Sequence, residues 1–230
     1  TCQTIQLHNL HPDAVYDIVE SALDHGIVTR GGGGDFPRNV MVSPLSGVEK
    51  GEYFDVLPYA EAAGEYLLTF IKEQKMPRKL KVGFSSSPAN LTHATYRDLG
   101  FAAREDGKFD VYSAGGLGNN PRFGVKVAEA VEPDDILFYI RAMWLTFRTY
   151  GNYENRGKAR TRYMQESLGS PEKYKEAFQE KLKEVCASGE DLKLKDLKEA
   201  SAENSRKTGD ETVFTGSNAI EQKQEGAQAV

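Results

Sequence analysis

Cysteine is nearly missing from this chain: its two copies, Cys2 and Cys186, lie far apart and form no ligand-spaced pair. That excludes a disulfide scaffold and points to a reducing compartment, read here as the cytoplasm. It also leaves this chain without a cysteine set for zinc or an iron–sulfur cluster. Long hydrophobic runs are missing too, so nothing in the sequence spans a bilayer, and the residues from Thr1 onward do not look like a signal peptide. The net charge of −5 lacks the basic excess of a nucleic-acid binder. The four histidines stand in unrelated local settings, so no Ser–His–acid arrangement can be built. Gly31-Gly32-Gly33-Gly34 lacks the Gly-Lys-Ser/Thr ending of a phosphate loop and reads as a tight bend or a place where something approaches the backbone. No internal repeat is present.

What is there is ordinary in bulk: 39% hydrophobic and 27% charged residues over 230 positions, enough for one large domain or one domain with pieces of its neighbours. The informative stretch is Lys75-Met76-Pro77-Arg78-Lys79-Leu80-Lys81-Val82-Gly83-Phe84-Ser85. Pro77 stops a helix from running through. The apolar spacing of Leu80, Val82 and Phe84 predicts a short strand. Alternation then puts Lys79, Lys81 and Gly83 on the other face, with Arg78 at the strand's start. Two ammonium groups about 4 Å apart repel by about 4 kcal/mol near a protein surface unless an anion or carboxylates stand between them. The plainer reading is an edge strand whose lysines block aggregation.

Taken in order, residues 3–8 alternate polar and apolar and predict a strand. Because a strand needs a partner, the start is expected to be a cut through a longer protein. His11-Pro12-Asp13 opens a helix with Val15, Ile18, Val19 and Leu23 on one face and Gly26 as its stop. A strand is expected from Phe36 to Val42, and a helix from Glu61 to Gln74 through Ala62, Tyr66, Leu67, Phe70 and Ile71. Residues 98–104 and 108–114 predict a hairpin turning at Asp106-Gly107. The Gly115-Gly116-Leu117-Gly118 stretch permits close backbone approach to a flat ligand, or is a surface turn. Helices are predicted over 125–131, 134–150 and 171–187. Between Arg141 and Arg162 stand six basic residues against one acid, Glu154. On a helix, Arg156/Arg160 and Lys158/Arg162 would form two basic ridges, either a solvated face or a site for a polycarboxylate. From Ser188 onward the composition becomes linker-like, and Ala219 to Gly226 shows no terminus pattern.

Five segments together resemble the siroheme-dependent sulfite and nitrite reductases, in the family's order. They are Thr4-Ile5-Gln6-Leu7-His8, Pro37-Arg38-Asn39-Val40, Pro77-Arg78-Lys79-Leu80-Lys81, Gly115-Gly116-Leu117, and Asn155-Arg156-Gly157-Lys158-Ala159-Arg160-Thr161-Arg162-Tyr163. Gln222-Lys223-Gln224-Glu225-Gly226 resembles the start of that family's second ferredoxin-like half. The resemblance implies a six-electron reduction of sulfite to sulfide, or nitrite to ammonia, at a siroheme coupled to a 4Fe–4S cluster. Its electron donor would be a ferredoxin or a flavoprotein, with no nucleic acid or membrane among its partners. By position, it makes Arg38, Lys79 and Lys81 the cations that bind the anion and supply protons. Arg78, Arg160 and Arg162 would pair with the ring's carboxylates, Thr4, Gln6 and Asn39 would position the ring, and Gly115-Gly116 would let backbone lie against it. No metal ligand is assigned in this chain. Lys81, where plant-type nitrite reductases tend to carry Asn, leans the substrate toward sulfite.

The resemblance also implies departures. The family usually has Arg at the place of Cys2, so one ring carboxylate contact is expected to be altered. An upstream segment that supplies a further substrate arginine precedes this chain in the family, and the four cluster cysteines follow it. The chain is therefore expected to be a piece of a larger enzyme, inactive alone. Expected boundaries are 1–30 for the end of the first ferredoxin-like half, 31–190 for the siroheme- and substrate-binding central domain, and 191–230 for a linker and the start of the second half. The expected fold is α+β, a mixed sheet of strands near 38–43, 79–85, 98–104 and 108–114 with helices packed on it and the ligand site at one edge. Two other readings stand beside it: a non-catalytic module binding a carboxylate-rich ligand, and a structural domain whose basic residues face solvent.

Overall fold

Apolar alternation and two long amphipathic helices build the core. The computed structural model describes residues 3–29, 32–72, 75–195 and 197. Five strands lie in sequence order in one sheet: β1 (Pro37–Val42), β2 (Leu80–Ser85), β3 (Leu99–Ala103), β4 (Phe109–Ser113) and β5 (Val125–Val131). The first two pairings are parallel and the last two antiparallel. The sheet is therefore mixed, as the family resemblance implies. The β3–β4 hairpin turns at Asp106-Gly107, where Gly107 has φ +78° and so accepts a conformation that side chains resist.

One sheet face is aromatic. Leu80, Val82, Phe84, Leu99, Phe101, Phe109 and Val111 are fully buried. Phe84 and Phe101 stack with ring centres 4.6 Å apart, and Phe109 meets them edge-on at 5.7 and 5.8 Å. Burying each such ring contributes about 1.5–3 kcal/mol. Four helices accompany the sheet: α2 (Leu57–Thr69), α3 (Ile136–Tyr150), α4 (Met164–Ser167) and α5 (Pro171–Ala187). The apolar stripe of α3 buries Ile136, Ile140, Met143, Trp144 and Phe147, and α5 brings Tyr174, Phe178 and Val185 against it. Ser170 caps α5, its hydroxyl accepting the Lys173 N–H at 3.2 Å, with Pro171 in the first turn. Trp144 lies near two guanidinium groups, Arg141 at 4.5 Å and Arg148 at 4.3 Å from its ring.

The first helix, α1 (Ala14–Asp24), ends as predicted at Gly26, φ +72°, whose N–H bonds the Leu23 carbonyl at 2.9 Å. None of its residues is buried.

Several sequence expectations are corrected. Residues 3–8 are not a strand. Instead the Gln3 carboxamide bonds the Val42 N–H at 2.9 Å and carbonyl at 2.7 Å, so a side chain satisfies this point on the outer edge of β1. Alternation alone could not make a strand there, because among the described residues no second strand pairs with it. Residues 125–131 form β5, not a helix. Val125, Val127 and Val131 suit the pleat, and β4 offered an unpaired edge. A bulge with Ala130 at φ +53° returns Val131 to the buried side. The helix expected from Glu61 to Gln74 begins earlier, at Leu57, and gives way to a 3₁₀ turn at Phe70–Lys72. The basic segment is two 3₁₀ turns, Arg156–Lys158 and Thr161–Tyr163, with Arg160 extended between them, so the two helical ridges do not form. Cys2, most of the 191–230 linker and the Gln222–Gly226 stretch lie outside the described residues.

Candidate functional site

The strand β2 delivers the predicted division of faces. Leu80, Val82 and Phe84 are buried on one side, while Lys79, just before the strand, and Lys81 within it are half-buried on the other. Gly83 continues that side, and the aliphatic stem of Arg97 occupies the space a side chain would need: a Cβ at Gly83 would stand 3.3 Å from Arg97 Cγ. The Arg97 Nε donates to the Thr92 carbonyl at 2.7 Å. The sequence reading overlooked Arg97, because no local pattern links it to Gly83 earlier in the chain.

Behind the lysines lies a carboxylate that the sequence reading also missed. The Asp98 side chain is 1% exposed. It accepts the Lys81 backbone N–H at 2.9 Å and the Arg160 Nη2 at 3.2 Å from both of its oxygens. The Thr161 hydroxyl donates to it as well. One buried carboxylate thus joins β2, the start of β3 and the 160–162 turn. Burial lowers the Lys79 ammonium from the ordinary lysine value, and the neighbouring charges of Arg160, Lys81 and Arg38 lower it further. Among the described residues, Asp98 opposes them.

Arg38 projects from β1 and is fixed by the glycine loop, its amino groups donating to the carbonyls of Gly32 and, at 2.9 Å, Gly34. Its Nε and that of Arg160 are buried with no hydrogen-bond partner. Buried N–H groups without partners are costly, and they mark where an acceptor is wanted. Arg38, Lys79, Lys81 and Arg160 therefore form one cationic cluster around one carboxylate, a set suited to an anion and to a carboxylate-rich group.

The remaining predicted residues fall into other groupings. Arg78 donates to Asp35 at 3.2 Å, and Asp35, 6% exposed, also takes Arg156 at 2.9 Å and Lys75 at 3.9 Å. Arg162 is buried and turns to the glycine stretch, donating to the carbonyls of Asn119 at 2.7 Å and Asn120 at 3.1 Å. Gly116 lies against Arg162 and pairs with Arg122 through two backbone bonds of 3.0 Å. A Cβ at Gly115 would stand 2.8 Å from the backbone of Tyr96 and Gly124, so chain packing alone requires glycine there. Thr4, Arg38 and Asn39 line a 320 Å³ groove between β1 and α2, walled by Val40, Leu67 and Ile71. Gln6 is exposed and outside that lining.

Among the described residues no three histidine, cysteine or acidic side chains come together to hold a metal. Two cysteines do not by themselves make the four-thiolate set of a 4Fe–4S cluster, whereas the cationic cluster with its two orphaned N–H groups fits a polycarboxylate ring. No helix of the described residues is long and apolar enough to cross a membrane.

Residues 33–185 match the family described as the nitrite and sulphite reductase 4Fe-4S domain. The chain is similar to sulfite reductase (ferredoxin) 1 of Mycolicibacterium paratuberculosis, 28% identical across 77% of this chain and 32% of that protein. It is likewise similar to the assimilatory ferredoxin-dependent nitrite reductase of Haloferax mediterranei, 26% identical across 84% of this chain and 35% of that one. Among solved structures, that of the Mycobacterium tuberculosis NirA protein superposes with a TM-score of 0.64 at 27% identity, covering 75% of this chain and 32% of that one. The chain spans about a third of the length of the curated relatives it matches.

Proposed function

We propose, on the premise that this chain belongs to the nitrite and sulphite reductase 4Fe-4S domain family, that it is the siroheme- and anion-binding part of a sulfite reductase. The observation that carries this reading is the cluster of Arg38, Lys79, Lys81 and Arg160 around the buried carboxylate of Asp98. An excess of positive charge held in place by hydrogen bonds is complementary to an oxyanion and to ring carboxylates.

In this reading siroheme, when bound, supplies the iron at which six electrons reach sulfite. Arg38, Lys79 and Lys81 hold the oxyanion, and their fixed positive charge favours the more charged reduced states. Lys79, with its lowered proton affinity, is the best placed of them to release a proton at Nζ as an oxygen departs as water. Arg160 meets a ring carboxylate with the amino group not committed to Asp98, and Arg78 and Arg162 meet others from their anchorages on Asp35 and the glycine stretch. Thr4, Gln6 and Asn39 orient the ring, and Gly115-Gly116 offers it a backbone surface. The cluster's ligands, the electron donor (a ferredoxin or a flavoprotein) and any turnover belong to the intact protein. The two widely separated cysteines support a cytoplasmic location.

Lys81 favours sulfite over nitrite. Nitrite remains the second reading, since relatives of similar identity bear names of both kinds. The test is a visible spectrum and iron analysis of the intact protein, followed by turnover with each anion. An isobacteriochlorin-type spectrum with faster sulfite reduction is expected. A colourless, iron-free, folded protein overturns the catalytic reading and leaves a module for a carboxylate-rich ligand. Faster nitrite turnover overturns the choice of substrate.

A further inference from the structure

Asp98 differs from every other group near the lysines in sign and in connectivity. Its carboxylate is 1% exposed and bonds to a backbone N–H of β2, to the Arg160 guanidinium and to the Thr161 hydroxyl. Its own carbonyl accepts the Ala114 N–H at 2.9 Å and the Ser113 hydroxyl at 3.2 Å, tying it to the end of β4 that leads into Gly115. Three segments carrying proposed site residues (Lys79–Lys81, Gly115-Gly116 and Arg160–Arg162) thus meet at one side chain or its backbone. Among the described residues, Arg160, Lys81 and Arg38 act on Lys79 as cations, and Asp98 opposes them as an anion.

We propose that Asp98 is a positioning residue for the anion site. Its carboxylate locks Arg160 and the start of β2 into one frame and sets a negative charge among the cations around Lys79. This deepens the reading above and rests on it for the identity of the anion, although not for the contact itself. A purely structural Asp98 would hold the frame without setting the proton affinity of Lys79. A positioning one does both, because removing its charge leaves the three cations acting on Lys79 without the opposition of Asp98.

The experiment is the pH dependence of Lys79 acylation by acetic anhydride in the intact protein, read by peptide mass spectrometry for wild type, Asp98→Asn and Thr161→Val. Asp98→Asn is expected to lower the midpoint by about one pH unit. Thr161→Val, which keeps the charge but removes a hydrogen bond, is expected to leave it unchanged. Equal midpoints for wild type and Asp98→Asn, or equal shifts in both variants, overturn the proposal. If Asp98→Asn does not accumulate folded, it is made in an Arg160→Gln background, where no guanidinium is left unpaired: the double variant must titrate below Arg160→Gln alone, and equal midpoints overturn the proposal. Turnover is not needed for this readout. A protein that binds no tetrapyrrole therefore sinks the reductase reading while still testing Asp98, and an unmoved midpoint in an active enzyme sinks Asp98 alone.

Discussion

Asp35 and Asp98 are both carboxylates buried among cations, yet different kinds of partner hold them. Asp35 is met by three flexible side-chain heads, of which Arg156 is 64% and Lys75 72% exposed. Asp98 is met by a strand N–H, a hydroxyl and a guanidinium that is itself mostly covered. Partners that reach water can resolvate when the carboxylate is lost, whereas partners buried with it cannot. Asp35 therefore acts as a clasp between surface cations, and Asp98 as a joint of the framework.

The largest break of this contrast is Asp98→Ala. It leaves the Lys81 N–H, Thr161 and Arg160 without their acceptor and is expected to cost about 3–5 kcal/mol, seen as an early denaturant midpoint. Asp35→Ala is expected to cost less, about 1–3 kcal/mol, because Arg156 and Lys75 turn to solvent. Equal losses would erase the distinction between clasp and joint.

Lys79→Arg sharpens the contrast through pH. Lys79 titrates below the ordinary lysine range, so its protonated fraction falls as pH rises through that lowered value, and anion affinity falls with it. The arginine variant is expected to keep its affinity across the same alkaline window, read by sulfite titrations at stepped pH. Stability moves oppositely: between the lowered folded value and the ordinary unfolded one, the unfolded chain binds more protons, so the folded state gains as pH rises. The smallest effect belongs to Lys75→Ala, which breaks a 3.9 Å, largely solvated contact and is expected to change stability by under about 1 kcal/mol.

How much of this was legible follows from distance along the chain. The lysine face of β2, the Asp106-Gly107 hairpin and the apolar stripe of α3 all rest on periodicity within a few residues, and each is where the sequence puts it. The strand β5 was not legible, because Val-Lys-Val-Ala-Glu-Ala-Val suits either state until the free edge of β4 decides. The segment 156–162 misled for a related reason: four-residue spacing of arginines implies ridges only on a helix. Here two buried carboxylates pull Arg156 and Arg160 in separate directions instead. Asp35 and Asp98 were invisible as site residues, since their partners Arg156 and Arg160 lie 121 and 62 positions away. Which predicted residues meet, as Arg38, Lys79, Lys81 and Arg160 do, was suggested only by the family resemblance.

Those separations set an order of assembly during synthesis. Asp35 and Asp98 leave the ribosome well before Arg156, Arg160 and Thr161, by several seconds at about 5–20 residues per second. Until then Asp98 lacks the guanidinium paired with it and Asp35 lacks one of its three cations, so this corner of the sheet is incomplete. The 156–162 segment is therefore the closing stitch, and the cationic pocket exists as a receptor only after it has been made.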